Sequence, residues 1–244
     1  MSNPTYRAGK AGGAAMGLDS HEEPSWAFVS NLSIEDSGGG FSGMNLAAWS
    51  VLSARFDSRY VGPVCPSTDR LAALLSKGSK LARRPRSLFA FSERRLTQFK
   101  EQVIKELSTG PPHMVMFHGF TPWIKVDPGV PYVAWSDCTF REYMRTYHDE
   151  QTFSSRDLDR IHRQEAQWLR AATRVIFSSQ YAARIAQSEC GLDTDRVGVV
   201  GICGQIELPD RDRYSGSMDF LFVSTNFDKK GGGGSRSRRP TPEA

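Results

Sequence analysis

Long apolar runs are missing from this chain of 244 residues. No stretch approaches the roughly 18 consecutive apolar residues that a membrane-crossing helix needs. The opening residues MSNPTYRAGKAGGAAMG have no apolar centre and do not read as a secretory signal. Cysteine is sparse. Cys65, Cys138, Cys190 and Cys203 are far apart and make no CxxC pair. That argues against a disulfide framework or a zinc knuckle and predicts reduced thiols in a cytoplasmic protein. The histidines (His21, His113, His118, His148, His162) have no metal-ligand spacing. His162 and Glu165 lie three apart on one predicted helix with no third ligand, so no metal is expected. Neither a GxSxG elbow nor a Walker P-loop occurs, and the spacings support no Ser-His-Asp triad.

A basic surface is missing too, although the formal net charge is +4. Residues 229–244 hold Lys229, Lys230, Arg236, Arg238 and Arg239 against Glu243, so the charge belongs to a tail and the body is close to neutral. A folded nucleic-acid interface is therefore not expected. The hydrophobic share of 39% rises to that of an ordinary globular chain once the 22 glycines are added, so a core is expected over most of the length.

What is present is an alternation of short apolar runs with helical patterns. The runs at 26–32, 59–64, 113–118, 131–135, 174–177, 197–200 and 220–223 are continuous rather than alternating in and out, as strands buried on both faces are. Between them, 44–56 reads as a largely apolar helix, and Ser67 or Thr68 can cap a helix carrying Leu71, Leu74 and Leu75. Ser92 can cap a helix whose Leu96, Phe99, Val103 and Leu107 share one face. Further helices are predicted near 140–147, from Ser154 or Ser155 through Ala172, and after Ser179, the last ending at Gly191. The expected fold is α/β: a Rossmann-like, doubly wound parallel sheet with helices on both faces and ligands at the carboxyl ends of its strands. Residues 1–25 read as a disordered leader, 26–215 as the Rossmann-like domain, 216–232 as the start of a second domain, and 233–244 as a disordered basic tail.

Four constellations could carry chemistry. Gly38-Gly39-Gly40-Phe41-Ser42-Gly43 has the form GxGxxG, in which glycines admit a phosphate to the backbone at a helix N-terminus. A dinucleotide site also needs an acid at the end of the second strand, and Tyr60-Val61-Gly62-Pro63 supplies none; Asp57 precedes that strand. Trp135-Ser136-Asp137-Cys138-Thr139-Phe140 puts a carboxylate and hydroxyls at a strand end, where Asp137 could orient or deprotonate a ligand hydroxyl, or where Asp137 or Ser136 could simply cap the next helix. His118, at another strand end, is a candidate hydrogen-bond donor or general base. Lys230, in Asp228-Lys229-Lys230-Gly231-Gly232, is a point charge that a diphosphate could meet.

The stretches GGGFSGMNLA, VPYVAWSDCTF, RVIFSSQYAARIA, DRVGVVGICGQIE and FLFVSTNFDKKGG together resemble the GT-B glycosyltransferases, specifically the retaining family-4 or group 1 type, across about residues 26–232. The resemblance implies two Rossmann-like lobes facing a cleft, an N-terminal one for the acceptor and a C-terminal one for the nucleotide-sugar donor, which is a co-substrate; no cofactor is expected. It implies Gly39 and Gly40 near the donor phosphate, Ser136 and Thr139 in substrate binding, and Asp137 where many relatives have a histidine that contacts the transferred sugar. Lys230 matches a lysine that binds the donor diphosphate, while Thr225 stands where relatives have an arginine. Most of the donor lobe lies beyond the end of this chain, so the expectation is a truncated polypeptide that is inactive alone. The acceptor could be a sugar, a lipid-linked molecule or another small molecule. Relatives work in the cytoplasm or at the inner face of a membrane, which the basic tail could touch. Two other readings are a non-catalytic interaction module on the same fold and a nucleotide-dependent oxidoreductase.

Overall fold

The structure, a computed structural model, describes residues 24–35, 41–82 and 85–201. Most of the leader, Gly39 and Gly40, the Phe220–Val223 run, Thr225, Lys230 and the basic tail lie outside the described residues, as does the second-domain boundary.

Six strands form one sheet: β1 (Trp26–Val29), β2 (Ser58–Val61), β3 (Met114–His118), β4 (Tyr132–Ser136), β5 (Arg174–Phe177) and β6 (Val197–Val199). Their order is β2-β1-β3-β4-β5-β6, and every pairing is parallel. The expected Rossmann-like parallel sheet is therefore what the chain forms. The helices are α1 (Phe41–Ser53), α2 (Arg70–Leu81), α3 (Glu93–Ser108), α4 (Phe140–Tyr147), α5 (Ser155–Ala171) and α6 (Gln180–Cys190).

One face of the sheet carries the main core. Ala27, Val29, Val115, Phe117, Tyr132, Ala134, Val175 and Phe177 pack there against Leu96, Phe99 and Val103 of α3, Ile161, Trp168 and Leu169 of α5, and Ala182, Ala183 and Ala186 of α6. The four α3 positions expected on one face, Leu96, Phe99, Val103 and Leu107, are all buried. Ser92 caps that helix, its hydroxyl accepting from Arg95 N. Ser179 caps α6 in the same way, and Gly191 ends it at φ 63°, where a side chain would be strained.

On the opposite face α1 is the helix in ring contact with the sheet among the described residues: Trp49 meets Phe28 and Tyr60. A helix as apolar as the one expected over 44–56 should be buried on most sides. α1 is half-buried over most of its length, with Asn45 and Leu52 as its buried residues. Its position explains this, since it leans on β1 and β2 at one margin of the sheet.

Two helix caps differ from expectation. Asp69, not Ser67 or Thr68, caps α2 by accepting from Ala72 N, and its other oxygen takes the Ser92 hydroxyl at 2.8 Å. Thr139, not Ser136 or Asp137, caps α4 by accepting from Glu142 N. In both cases the residue immediately before the helix has extended backbone and a side chain that reaches the first-turn amides.

Candidate functional site

The strand order reverses between β1 and β3. From β1 the chain moves outward through α1 to β2, then crosses back over β1 to β3 and continues the other way. Loops leaving the carboxyl ends of β1 and β3 therefore diverge to opposite faces and leave a crevice, the place where open parallel sheets bind ligands.

Two buried polar residues occupy those two strand ends. Ser30, directly after β1, is fully buried, and its Oγ lies 3.5 Å from Nδ1 of His118, the last residue of β3. The His118 ring stacks on Phe28 of β1 and lies 4.9 Å, centroid to centroid, from Trp135 of β4. Its carbonyl accepts from the Trp123 indole at 3.0 Å. Gly119 then turns the chain at φ 83°, its amide donating to Trp135 O at 2.7 Å. Burial pulls the imidazole down to about 4 from its ordinary 6.5, so His118 is neutral at physiological pH.

The loop from β1 to α1 is pinned beside this pair. Leu32 N donates to Ser30 Oγ at 3.1 Å, Asn45 Nδ2 reaches Leu32 O and Ser33 O at 3.5 and 3.3 Å, and the Tyr60 hydroxyl donates to Leu32 O. Gly62 passes so close to Ser30 that a Cβ there would sit 2.6 Å from the Ser30 carbonyl oxygen. The glycines Gly39 and Gly40 fall between this loop and the start of α1 and are among the residues not described.

Asp137 lies one strand over, two residues past Trp135, which is registered against His118. It is exposed, and the Ser136 hydroxyl donates to its Oδ1 at 3.3 Å. With the α4 cap supplied by Thr139, the Asp137 carboxylate is not used by the helix. Ser136 and Thr139 are buried, so the structure puts them behind Asp137 rather than at the surface. Between them the Cys138 thiol is pushed up, by burial first and by the Asp137 charge second, which leaves it protonated and a poor nucleophile.

Residue-type reasoning missed Ser30, Asn45 and above all Glu165, which was weighed only as a metal ligand beside His162. Glu165 is fully buried on α5. One oxygen accepts from Thr121 Oγ1 at 2.8 Å, in the loop after β3; the other accepts from Phe140 N at 2.7 Å, at the start of α4. One carboxylate thus ties together the loops that follow His118 and Ser136. Its signal in the sequence is a glutamate set within the apolar stripe Ile161, Trp168, Leu169. Among the described residues no group of three or more His, Cys, Asp or Glu side chains could hold a metal ion. A cavity of about 500 Å³ between α4 and α5 is lined by Phe140, Arg141, Phe153, Leu158 and His162 among others, and none of His118, Ser136, Asp137 or Thr139 lines it.

Asp57, the nearest acid to β2, precedes that strand, and its carbonyl accepts from Trp26 N at the strands' amino ends. A ribose-binding acid would stand at the other end, after Val61, where Gly62 and a cis-bonded Pro63 follow.

No family model and no curated protein sequence matches the chain. Among solved structures it aligns with a UDP-N-acetylglucosamine 2-epimerase from Rickettsia bellii at 12% identity and a TM-score of 0.44, covering 74% of this chain and 45% of that one. It also aligns with the glycotransferase of kitacinnamycin at 13% identity and a TM-score of 0.34, covering 80% and 56%. The chain spans about half the length of each.

Proposed function

We propose that this sheet forms the acceptor-side lobe of a glycosyltransferase-like protein of GT-B type, with one wall of a sugar-transfer cleft at the carboxyl ends of β1, β3 and β4. The observation that carries the reading is the Ser30–His118 pair at the point where the strand order reverses, flanked by an exposed carboxylate, Asp137, on the neighbouring strand.

In this reading Asp137 accepts a hydrogen bond from a hydroxyl of the transferred sugar and holds the donor against this wall of the cleft. Ser136 holds the Asp137 carboxylate in place. His118 acts as a neutral imidazole that offers one donor and one acceptor, because protonation is suppressed by its surroundings. Gly39 and Gly40 admit the donor phosphate, and Lys230 meets the diphosphate, which breaks from the anomeric carbon and takes up the acceptor hydroxyl's proton as the acceptor oxygen bonds to the sugar. The donor is a nucleotide-sugar and the reaction retains configuration. An assembled cleft supplies the preorganised surroundings that the leaving diphosphate needs. The oxidoreductase alternative is disfavoured by the end of β2, where Gly62 and Pro63 stand in place of an acid.

The test reads binding. Thermal melting of the chain is followed with UDP-, GDP- and ADP-linked sugars and, separately, with NAD and NADP. A ligand at 100 times its dissociation constant adds about 2.7 kcal/mol of stability. Stabilisation by at least one sugar nucleotide, weakened by Asp137→Ala, is expected. Stabilisation by NAD or NADP alone would replace this reading with the oxidoreductase, and no stabilisation by any of them would replace it with the interaction module.

A further inference from the structure

α2 is turned inside out. An ordinary helix of a layered α/β domain buries its large apolar residues and shows its small and polar ones. Here Ser76 is the buried residue, its hydroxyl donating to Ser87 O at 3.0 Å, with Ala72 and Ala73 half-buried beside it. Leu71, Leu74, Leu75 and Leu81 are instead 63%, 67%, 61% and 89% exposed. At 100° per residue these four leucines share an arc of about 120°. Arg70 and Lys77 border that arc and Lys80 follows, while the helix contains no acid at all. In the sequence Arg83 and Arg84 come next.

We propose that α2 is an interfacial helix that seats this protein on an anionic lipid surface. The leucines enter the boundary between headgroups and acyl chains, and Arg70, Lys77 and Lys80 meet lipid phosphates. Charge complementarity selects this occupant. A second copy packed on the same face would bring two sets of uncompensated cations together, and the basic tail of this chain would meet them with the same sign. A basic helix with one apolar face is the chemistry of a helix lying in the membrane plane. No helix among the described residues is long and apolar enough to cross a membrane, so the contact is with the surface. The inference is independent of the sugar-transfer reading.

The experiment is vesicle sedimentation of the full chain. Vesicles of phosphatidylcholine alone are compared with vesicles containing an equal part of phosphatidylglycerol. Binding to the anionic vesicles, little binding to the neutral ones, and a decline with added salt are expected. Leu74→Glu with Leu75→Glu abolishes binding without lowering the melting temperature, since both side chains are exposed. Lys77→Gln with Lys80→Gln weakens it roughly thirtyfold. Replacing Lys229, Lys230, Arg236, Arg238 and Arg239 by Gln lowers binding less than the leucine pair does, and what remains still depends on Leu74 and Leu75. Loss of binding with the tail variant but not the leucine variant overturns the proposal. So does a dimer, seen by light scattering, that the leucine variant dissolves while the wild type ignores vesicles.

Discussion

Glu165 and the backbone amide of Phe140 are joined by a 2.7 Å hydrogen bond across 25 positions of sequence. The same carboxylate takes the Thr121 hydroxyl, so α5, which carries no candidate ligand-binding residue, fixes the loops of the two strands that do. Glu165→Ala leaves the buried Phe140 amide and the half-buried Thr121 hydroxyl without their acceptor. A loss of about 3 kcal/mol in urea unfolding is expected. Glu165→Gln costs much less, because a Gln oxygen accepts from Phe140 N while its amide donates to Thr121 Oγ1. Equal losses in the two variants would show that the bridge is not what holds the loops.

Two buried groups give the fold opposing pH dependences. Folding holds His118 at about 4 against an ordinary 6.5, so between those values the unfolded chain binds a proton that the folded one refuses. That contribution is present above 6.5 and is lost as pH falls toward 4. Glu165 is raised by burial from 4.5 to about 7. Its contribution is present below 4.5 and is lost as pH rises through 7. Each slope is about 1.4 kcal/mol per pH unit where it acts alone. The stability of Glu165→Gln relative to wild type should rise with pH across the Glu165 window, measured by urea denaturation in a buffer series. A flat difference would rule out a buried, titrating Glu165.

Gly62 leaves no room for a methyl group. A Cβ would lie 2.6 Å from Ser30 O and 2.7 Å from the Tyr60 hydroxyl. Since one neighbour is backbone, Gly62→Ala must displace the strand end that carries Ser30. A cost of about 2 kcal/mol in chemical unfolding is expected, together with weaker nucleotide-sugar stabilisation. Unchanged unfolding would mean that the loop yields freely.

Asp137 separates function from stability. It is exposed, and its near neighbour Thr139 already caps α4. Asp137→Asn should change unfolding by less than about 0.5 kcal/mol while removing most of the melting shift produced by a sugar nucleotide. A shift that survives intact would take Asp137 out of the site.

The layered fold was legible wherever one physical rule dominated. The spacing of Leu96, Phe99, Val103 and Leu107 fixed α3 by its buried face, and Ser179 with Gly191 bounded α6 by cap chemistry. The leucines of α2 defeated the same logic. Leu71, Leu74 and Leu75 mark a helix correctly, yet periodicity does not say which side meets the protein, and here Ser76 and the alanines do. At the candidate site His118 and Asp137 could be read from strand ends. Ser30 and Glu165 could not, because their roles arise from partners 88 and 44 positions away that only the folded sheet brings near.

The unequal covering of the two faces gives the crevice one stiff side and one compliant side. α3, α5 and α6 each anchor four or more buried residues, whereas α1 keeps most of its length half-open to water. Amide hydrogens of α1 should therefore exchange well before those of α3 and α5. Any widening needed to admit a bulky ligand would come from the α1 margin, hinging about its Asn45 anchor while the other rim stays put.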